Sequence, residues 1–545
     1  MKTTKTIYLI PVLAFLLVML QRAWFADNTT TTTPPTVQVQ QPAKISGLGK
    51  INAFKPEDDI SVTTDMFTVN ISTQGGAVIG AHLTDYPQSL TDNAPFTMLS
   101  NKTSHLFVAQ TGMSGDADLR FSTERKNYVM QPGQDQLSVT LYARDGFGKL
   151  FSKTYSFQRG RYHVDIKSTI ENRSRTTWAG MHYSRFILRH DSDTDLPAKN
   201  IPIDLDAPKP GWFTFSTYTG PAYFTENKPY VKLPFADIER KPLRKDIEGS
   251  GWIAMQQRYF ITAFVPQKKA NQTVTATWQR GTADQESTGY RNLFNFSTVG
   301  QKVTLSPGES VSASSQLYIG PEKAKLLAPL AKGLELTVDY GWLWFISDLL
   351  FQGLVFIHSY LGSWGWSIIM ITLIVKLMFY KLSEASYKAM AKQKKLQPQV
   401  NKINEEHKDN AEARSSALIA LYQKENINPV SGCLPQLLQI PFFIALYYVL
   451  IESVALRFQP FLWLPDLSSA DPFFVLPVLF CLSMFAMQMI SPPPQQAEGQ
   501  GNPMMFMPLF VSIMMAQMPA GLLIYSLTNN VLSLMQQWFV NQHYR

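Results

Sequence analysis

The chain is predicted to be a multi-domain membrane protein: a large all-β domain outside the membrane, then an α-helical transmembrane core with a cytoplasmic helical hairpin, six spans in all. Three observations predict it. Of the 545 residues, positions 1–340 carry 67 charged side chains and positions 341–545 only 23, of which 15 lie between Lys381 and Val430. The other 155 residues of the second part therefore hold eight charges, too few for the surface of a soluble fold. Period-two alternation of apolar residues recurs in the first part, and long charge-free apolar segments recur in the second. The near-neutral mean hydropathy averages a water-soluble module with a membrane-embedded one.

Residues 1–26 read as an N-terminal anchor. Lys2 and Lys5 precede an apolar run of 14 residues from Ile7 to Leu20, followed by Gln21 and Arg22. A run that short also suits a signal peptide, but no A-x-A pattern comes after it, and Trp24 can sit at the interface. The two lysines keep the N-terminus cytoplasmic, so the chain beyond the anchor is exported. Residues 27–54, with Thr29 to Thr33, Pro34, Pro35 and a Gln-rich stretch, form a low-complexity tether with nothing to bury.

Residues 55–325 alternate as half-buried antiparallel strands do: Phe67, Val69 and Ile71; Leu137, Val139 and Leu141; Phe151, Lys153, Tyr155 and Phe157; Tyr162, Val164 and Ile166. Turn signals such as Gly75-Gly76, Pro132-Gly133 and Asp145-Gly146 separate them, and no sustained helical pattern precedes Glu322. This pattern predicts a β-sandwich. His163, His182 and His190 near Asp191, Asp193 and Asp195 lack metal-ligand spacing and read as a polar loop. Trp212, Phe213, Phe215, Tyr218, Tyr223 and Phe224 are either core or a binding groove. The second choice makes the chain a membrane-anchored periplasmic sugar-binding or carbohydrate-active protein.

Residues 326–360 are read as an interfacial amphipathic helix, because Leu343, Ile346, Leu350, Leu354 and Ile357 recur at intervals of three and four with Ser347, Asp348 and Gln352 opposite. Spans are predicted at 361–380, 431–454, 472–490, 503–518 and within 519–545, which ends in a short cytoplasmic tail. A periplasmic loop at 455–471 and a cytoplasmic loop at 491–502 join them. Residues 381–430 form the hairpin, with a break at Pro398 and a net charge of +3 that places it in the cytoplasm. Cys433 and Cys481 fall inside apolar segments and offer no disulfide framework. The net charge of +8 is scattered, so no nucleic-acid partner is implied.

Lys376 is the anomaly, a basic side chain inside a span. Alone it reads as a snorkelling lysine. However, Thr372, Gln436, Gln439, Gln488, Ser526, Thr528, Asn529 and Asn530 also lie at membrane depth. Polar groups in lipid must face one another or water, so together they suggest a hydrated groove.

The blocks LTVDYGWLWFIS (336–347), NPVSGCLPQLLQIPFFIALYY (428–448), PDLSSADPFFVLPVL (465–479), FMPLF (506–510) and PAGLLIYSLTNN (519–530) resemble, in order, those of bacterial YidC-type membrane protein insertases of the Gram-negative branch. The resemblance implies an uncleaved anchor, a periplasmic β-supersandwich, and a five-helix core in the inner membrane. That core encloses a groove open to cytoplasm and lipid but closed to the periplasm. Lys376 stands where the family usually has Arg, which keeps the charge but loses the planar fork. Thr372, Gln439 and Tyr525 fall on other groove positions, and Ser526 replaces a frequent aromatic. It further implies insertion of nascent membrane proteins into the lipid bilayer, alone or with the Sec translocon. The ribosome would dock on the hairpin, no cofactor is needed, and both termini are cytoplasmic.

Overall fold

The computed structural model describes residues 59–102, 105–189, 218–249, 251–267, 270–279, 293–407, 410–425, 434–490 and 506–543. The predicted anchor, tether and 491–502 loop, with His190 to Asp195, Trp212, Phe213 and Phe215, lie outside these residues.

Alternating strands require two faces, one of them covered, and the covered faces meet here. From Asp59 to Pro321 the chain builds a ten-stranded sheet, an eight-stranded sheet, and a two-stranded ribbon of Trp178–Gly180 with Val303–Leu305. Phe107–Met113 pairs antiparallel with His182–Arg189 in the larger sheet, and Lys149–Gln158 pairs with His163–Asn172 in the smaller. The Phe186 ring of one sheet lies 4.9 Å from Phe264 of the other, inside a core that includes Phe67, Tyr155, Val164 and Ile319. Each such ring withdrawn from water contributes about 1.5–3 kcal/mol. Among the described residues the helix Phe235–Arg240 departs from the all-β expectation. Its six residues are too few to show a helical period.

The sandwich also buries charge. Lys153, on the inward face of its strand, reaches Asp116 Oδ2 at 3.0 Å and donates to the carbonyls of Gly75 (2.6 Å) and Thr111 (2.7 Å). The second oxygen of Asp116 accepts from Tyr183 Oη at 2.7 Å.

Past the last strand the chain turns back along the module before entering the helices. Glu322 is buried and accepts from Gln256 Nε2 at 2.8 Å, an amide that also donates to the Thr337 carbonyl. Lys232 pairs with Asp339 beside it. Burial pushes the Glu322 carboxyl up to about 8. Because this folded value lies above the ordinary 4.5, the folded protein holds a proton there that the unfolded chain releases. Stability is therefore expected to fall as pH rises from about 5 to 8, and Glu322→Gln is expected to flatten that slope, as melting midpoints across the interval will show.

Beyond Tyr340 the described residues form nine α-helices. They are α1 (Trp344–Leu361), α2 (Trp364–Met378), α3 (Tyr380–Lys395), α4 (Gln397–Glu406), α5 (Ala411–Lys424), α6 (Leu434–Glu452), α7 (Val475–Ile490), α8 (Met507–Met515) and α9 (Ala520–His543). The last, α9, packs against α2, α3, α6 and α7; α1 lies on α2 and α6; and α8 rests on α7. Leu354, Ile368, Leu446, Leu450, Leu522 and Leu523 form the centre of this second core.

The boundaries differ in places from the predicted spans. The turn and helix Gly341–Leu361 is the single described segment of 21 residues with the length and composition of a crossing, and it is the one read as interfacial. Its expected polar face is not clean. Ser347 is buried and donates to the Ala445 carbonyl at 3.2 Å, while Trp344, Phe345, Leu349 and Phe356 are exposed. The expected apolar stripe of Leu343, Leu350 and Leu354 is spent on the protein's own core. The 361–380 segment stops at Met378 and bends by 69° into α3. At nine residues α8 is about 14 Å long, half of a bilayer's apolar thickness.

In the hairpin segment the break falls at Leu396, just before Pro398. Asn410 caps α5, its Oδ1 accepting from the Ala413 amide at 3.0 Å. Val400 of α4 packs on Leu418 and Tyr422 of α5.

The segment between α6 and α7 grips the sandwich. Val454 joins the β core, and Arg457 donates to the carbonyls of Pro87 (2.9 Å) and Gln88 (3.1 Å), with its guanidinium near the rings of Phe96 and Phe260. At the same end Gly365 of α2 is obligatory, since a Cβ there would stand 2.1 Å from Phe461.

Candidate functional site: a polar seam around Lys376

A helix that must pack on several neighbours inside an apolar core normally shows them apolar side chains. Yet α9 turns Asn529, Asn530, Ser533, Gln536 and Gln537 inward from its middle onward. Their spacing of three and four puts them on one face. Across from them, Lys376 extends from the last turn of α2, 6% exposed. Its Nζ donates to Ser533 Oγ at 2.7 Å and to Asn529 Oδ1 at 3.2 Å. Asn529 passes the polarity on, its Nδ2 donating to Gln439 Oε1 of α6 at 2.9 Å. Tyr387 of α3 shares a hydrogen bond with Ser533, and Gln536 Nε2 donates to the Tyr380 carbonyl at 3.0 Å. One turn away, Asn530 Nδ2 donates to Ser483 Oγ of α7 at 2.9 Å.

Lys376 thus makes hydrogen bonds to neutral oxygens, and among the described residues no carboxylate lies within ion-pair distance of it. A buried ammonium held only by dipoles is an attractor for an anion. The seam lies at the hairpin end of α2. Trp364, near the loop that grips the sandwich, is 12 residues earlier, about 18 Å along the helix.

Of the six groove residues named from sequence, Lys376, Gln439 and Asn529 come together. Thr372 and Ser526 do not join them: each hydroxyl turns back on its own helix, to the Ile368 carbonyl (2.6 Å) and the Leu522 carbonyl (2.7 Å). Tyr525 lies in the apolar core, its ring 6.5 Å from Phe443. Lys376, Thr372, Tyr525 and Ser526 are buried and Gln439 and Asn529 half-buried, so the six are largely covered rather than lining open water. Ser533 was missed. Extending the Ser526, Asn529, Asn530 spacing by one step would have found it.

The remaining candidates are structural. His163 and His182 lie in different sheets. Burial, with Lys153 nearby, drives the His182 imidazole down to about 4, and its Nε2 lies 3.2 Å from Thr111 Oγ1. Among the described residues no group of three His, Cys, Asp or Glu could hold a metal ion. Tyr223 and Phe224 are core, and Tyr218 Oη is engaged by the Pro221 carbonyl (2.6 Å) and the Leu233 amide (2.9 Å).

Residues 59–353 match the YidC periplasmic domain family, and residues 356–545 match the 60Kd inner membrane protein family. A membrane protein insertase YidC from Coxiella burnetii (strain Dugway 5J108-111) is 37% identical over 527 residues, covering 95% of this chain and 89% of that protein. Its counterpart in Pseudomonas fluorescens (strain SBW25) is 38% identical, covering 89% and 84%. An active YidC insertase crystal structure with the first transmembrane domain resolved shares 15% identity over 88% of this chain and 92% of its own, with a TM-score of 0.37. A galactose mutarotase related enzyme from Lactobacillus acidophilus shares 11% over 48% of this chain and 97% of its own, with a TM-score of 0.29.

Proposed function

The chain belongs to the YidC family of membrane protein insertases, and from that premise we propose that incoming segments pass along the seam of α2, α6 and α9, where Lys376 holds their polar flank. It is an inner-membrane insertase with a periplasmic β module, acting on nascent membrane proteins in the lipid bilayer. The observation that carries the route is the buried Lys376 ammonium with hydrogen bonds to neutral groups alone.

An acidic residue in the flank completes the ion pair that the seam leaves open, and as the flank enters, water enters with it. Thr372, Tyr525 and Ser526, covered until the flank enters, then come to line its apolar side. The client's apolar length slides from there into lipid, gaining about 25 cal/mol per Å² removed from water. The membrane potential adds about 2.3 kcal/mol per charge for each 100 mV. The 455–471 loop lies on the periplasmic side, a reading supported by the Arg457 hydrogen bonds to the β module. The 381–430 hairpin then lies at the cytoplasmic end, where it meets the ribosome, with the Sec translocon as an alternative route. Six spans and cytoplasmic termini complete this topology.

A photocrosslinking side chain at Gln439 or Tyr525 is expected to capture a ribosome-stalled nascent chain, whereas one at Lys302 on the β module is not. Equal capture from all three positions would reject the route.

A further inference from the structure

We propose that the loop between α6 and α7 is a preformed wedge whose two apolar tips sit in the outer leaflet of the bilayer. The proposal rests on the reading of α7 as a span. Reciprocal hydrogen bonds between Phe461 and Leu464, both 2.9 Å, close a two-residue turn with Leu462 and Trp463 at its tip. Leu462 has φ 54°, a left-handed conformation that such turns ordinarily give to Gly, Asn or Asp. It is also 72% exposed, so no protein contact repays the strain. The second tip repeats the pattern. Phe474 has φ 56° and is 58% exposed, and Phe473 beside it is 68% exposed.

One buried carboxylate fixes both tips. Asp471 Oδ1 accepts from Trp463 Nε1 (3.2 Å) and the Phe473 amide (3.1 Å), and its Oδ2 accepts from the Leu476 amide (2.7 Å). The Trp463 indole N–H is satisfied inside the loop, so this ring can leave water without losing a hydrogen bond. Lipid is the occupant because the apolar surface does not end at the tips: Val478 and Leu482 carry it down the exposed side of α7. An aromatic and aliphatic tip at the end of a span is the composition of a membrane interface. Clamped to the sandwich by Arg457 on one side and to lipid on the other, the loop sets the depth at which the Lys376 seam lies.

The test uses the full chain with Cys433→Ser and Cys481→Ser, a single cysteine at Leu462, Leu482 or Lys302, an NBD label, and vesicles of phosphatidylethanolamine and phosphatidylglycerol. At Leu462, quenching by shallow doxyl lipids is expected to exceed that at Lys302 by about threefold, with iodide quenching about threefold lower. Water at Leu462 with lipid at Leu482, the result for a surface reserved for a protein partner, overturns the wedge alone. Water at both overturns the wedge and the span together. In a Leu462→Asn variant, which the left-handed conformation tolerates, a label at Phe473 is expected to lose about half of its doxyl quenching while the melting midpoint does not fall. Unchanged quenching there also overturns the wedge.

Discussion

Lys153→Met is expected to cost about 3–5 kcal/mol, because it strands the Asp116 carboxylate in the sandwich without its counter-charge. For a domain of this size that is a fall of roughly 6–20 °C in melting midpoint. The pair is closed on all sides. The ammonium has Asp116 and two carbonyls, and the carboxylate has Tyr183 Oη and the Met113 amide at 2.8 Å. Gly112 belongs to the same arrangement, since a Cβ there would lie 2.0 Å from Asp116 Oδ2. Breaking one partner and deleting both are different experiments. The double variant Lys153→Met, Asp116→Asn removes both charges of the pair, so it is expected to recover more than half of the loss. Thermal unfolding of the detergent-solubilised chain measures both. A double variant no more stable than the single one would mean that the hydrogen bonds, not the charge balance, hold the site.

Lys153 also shows how far sequence reading reaches in the β module. Period-two spacing places it on the inward face with Phe151, Tyr155 and Phe157, as found. Its partner sits in a turn outside any period, brought near by the packing of one sheet on the other, and nothing local marks Asp116 as the acceptor. Periodicity gave the helices less well. Apolar residues in a membrane core look alike whether they face lipid or protein, so the apolar face of α1 meets protein where the reading puts the membrane surface, and Ser347, assigned to its polar side, is packed against α6. The same ambiguity hid the bend after Met378 and the shortness of α8. Polar residues inside that core are the exception, because each needs a partner. That rule brought out Lys376, Gln439 and Asn529 together. It failed for Thr372 and Ser526, whose hydroxyls can satisfy themselves on the preceding turn.

Lys376→Glu is expected to reduce insertion of a client with an acidic translocated tail by more than tenfold, and Lys376→Arg to stay within about twofold. At a separation of about 8 Å and an effective dielectric near 20, one charge pair is worth roughly 2 kcal/mol. Reversing the sign of Lys376 converts attraction into repulsion and about doubles the difference. The seam can accept the new carboxylate without unfolding. Ser533 can donate to it, and the Asn529 amide can turn to present Nδ2, provided that Gln439, which now accepts from that group, turns with it. Amide reversal is cheap beside the charge effect, so a fall in insertion with an intact melting curve reports electrostatics. Clients with neutral tails supply the internal control. They gain nothing from the ammonium, and Lys376→Met is expected to leave them unchanged while slowing acidic ones by an intermediate amount. Insertion into inverted membrane vesicles, scored by protease protection of the tail, reads all three variants. Equal insertion of the acidic client by the Glu and Arg forms would remove the electrostatic role of Lys376 and leave the seam as packing.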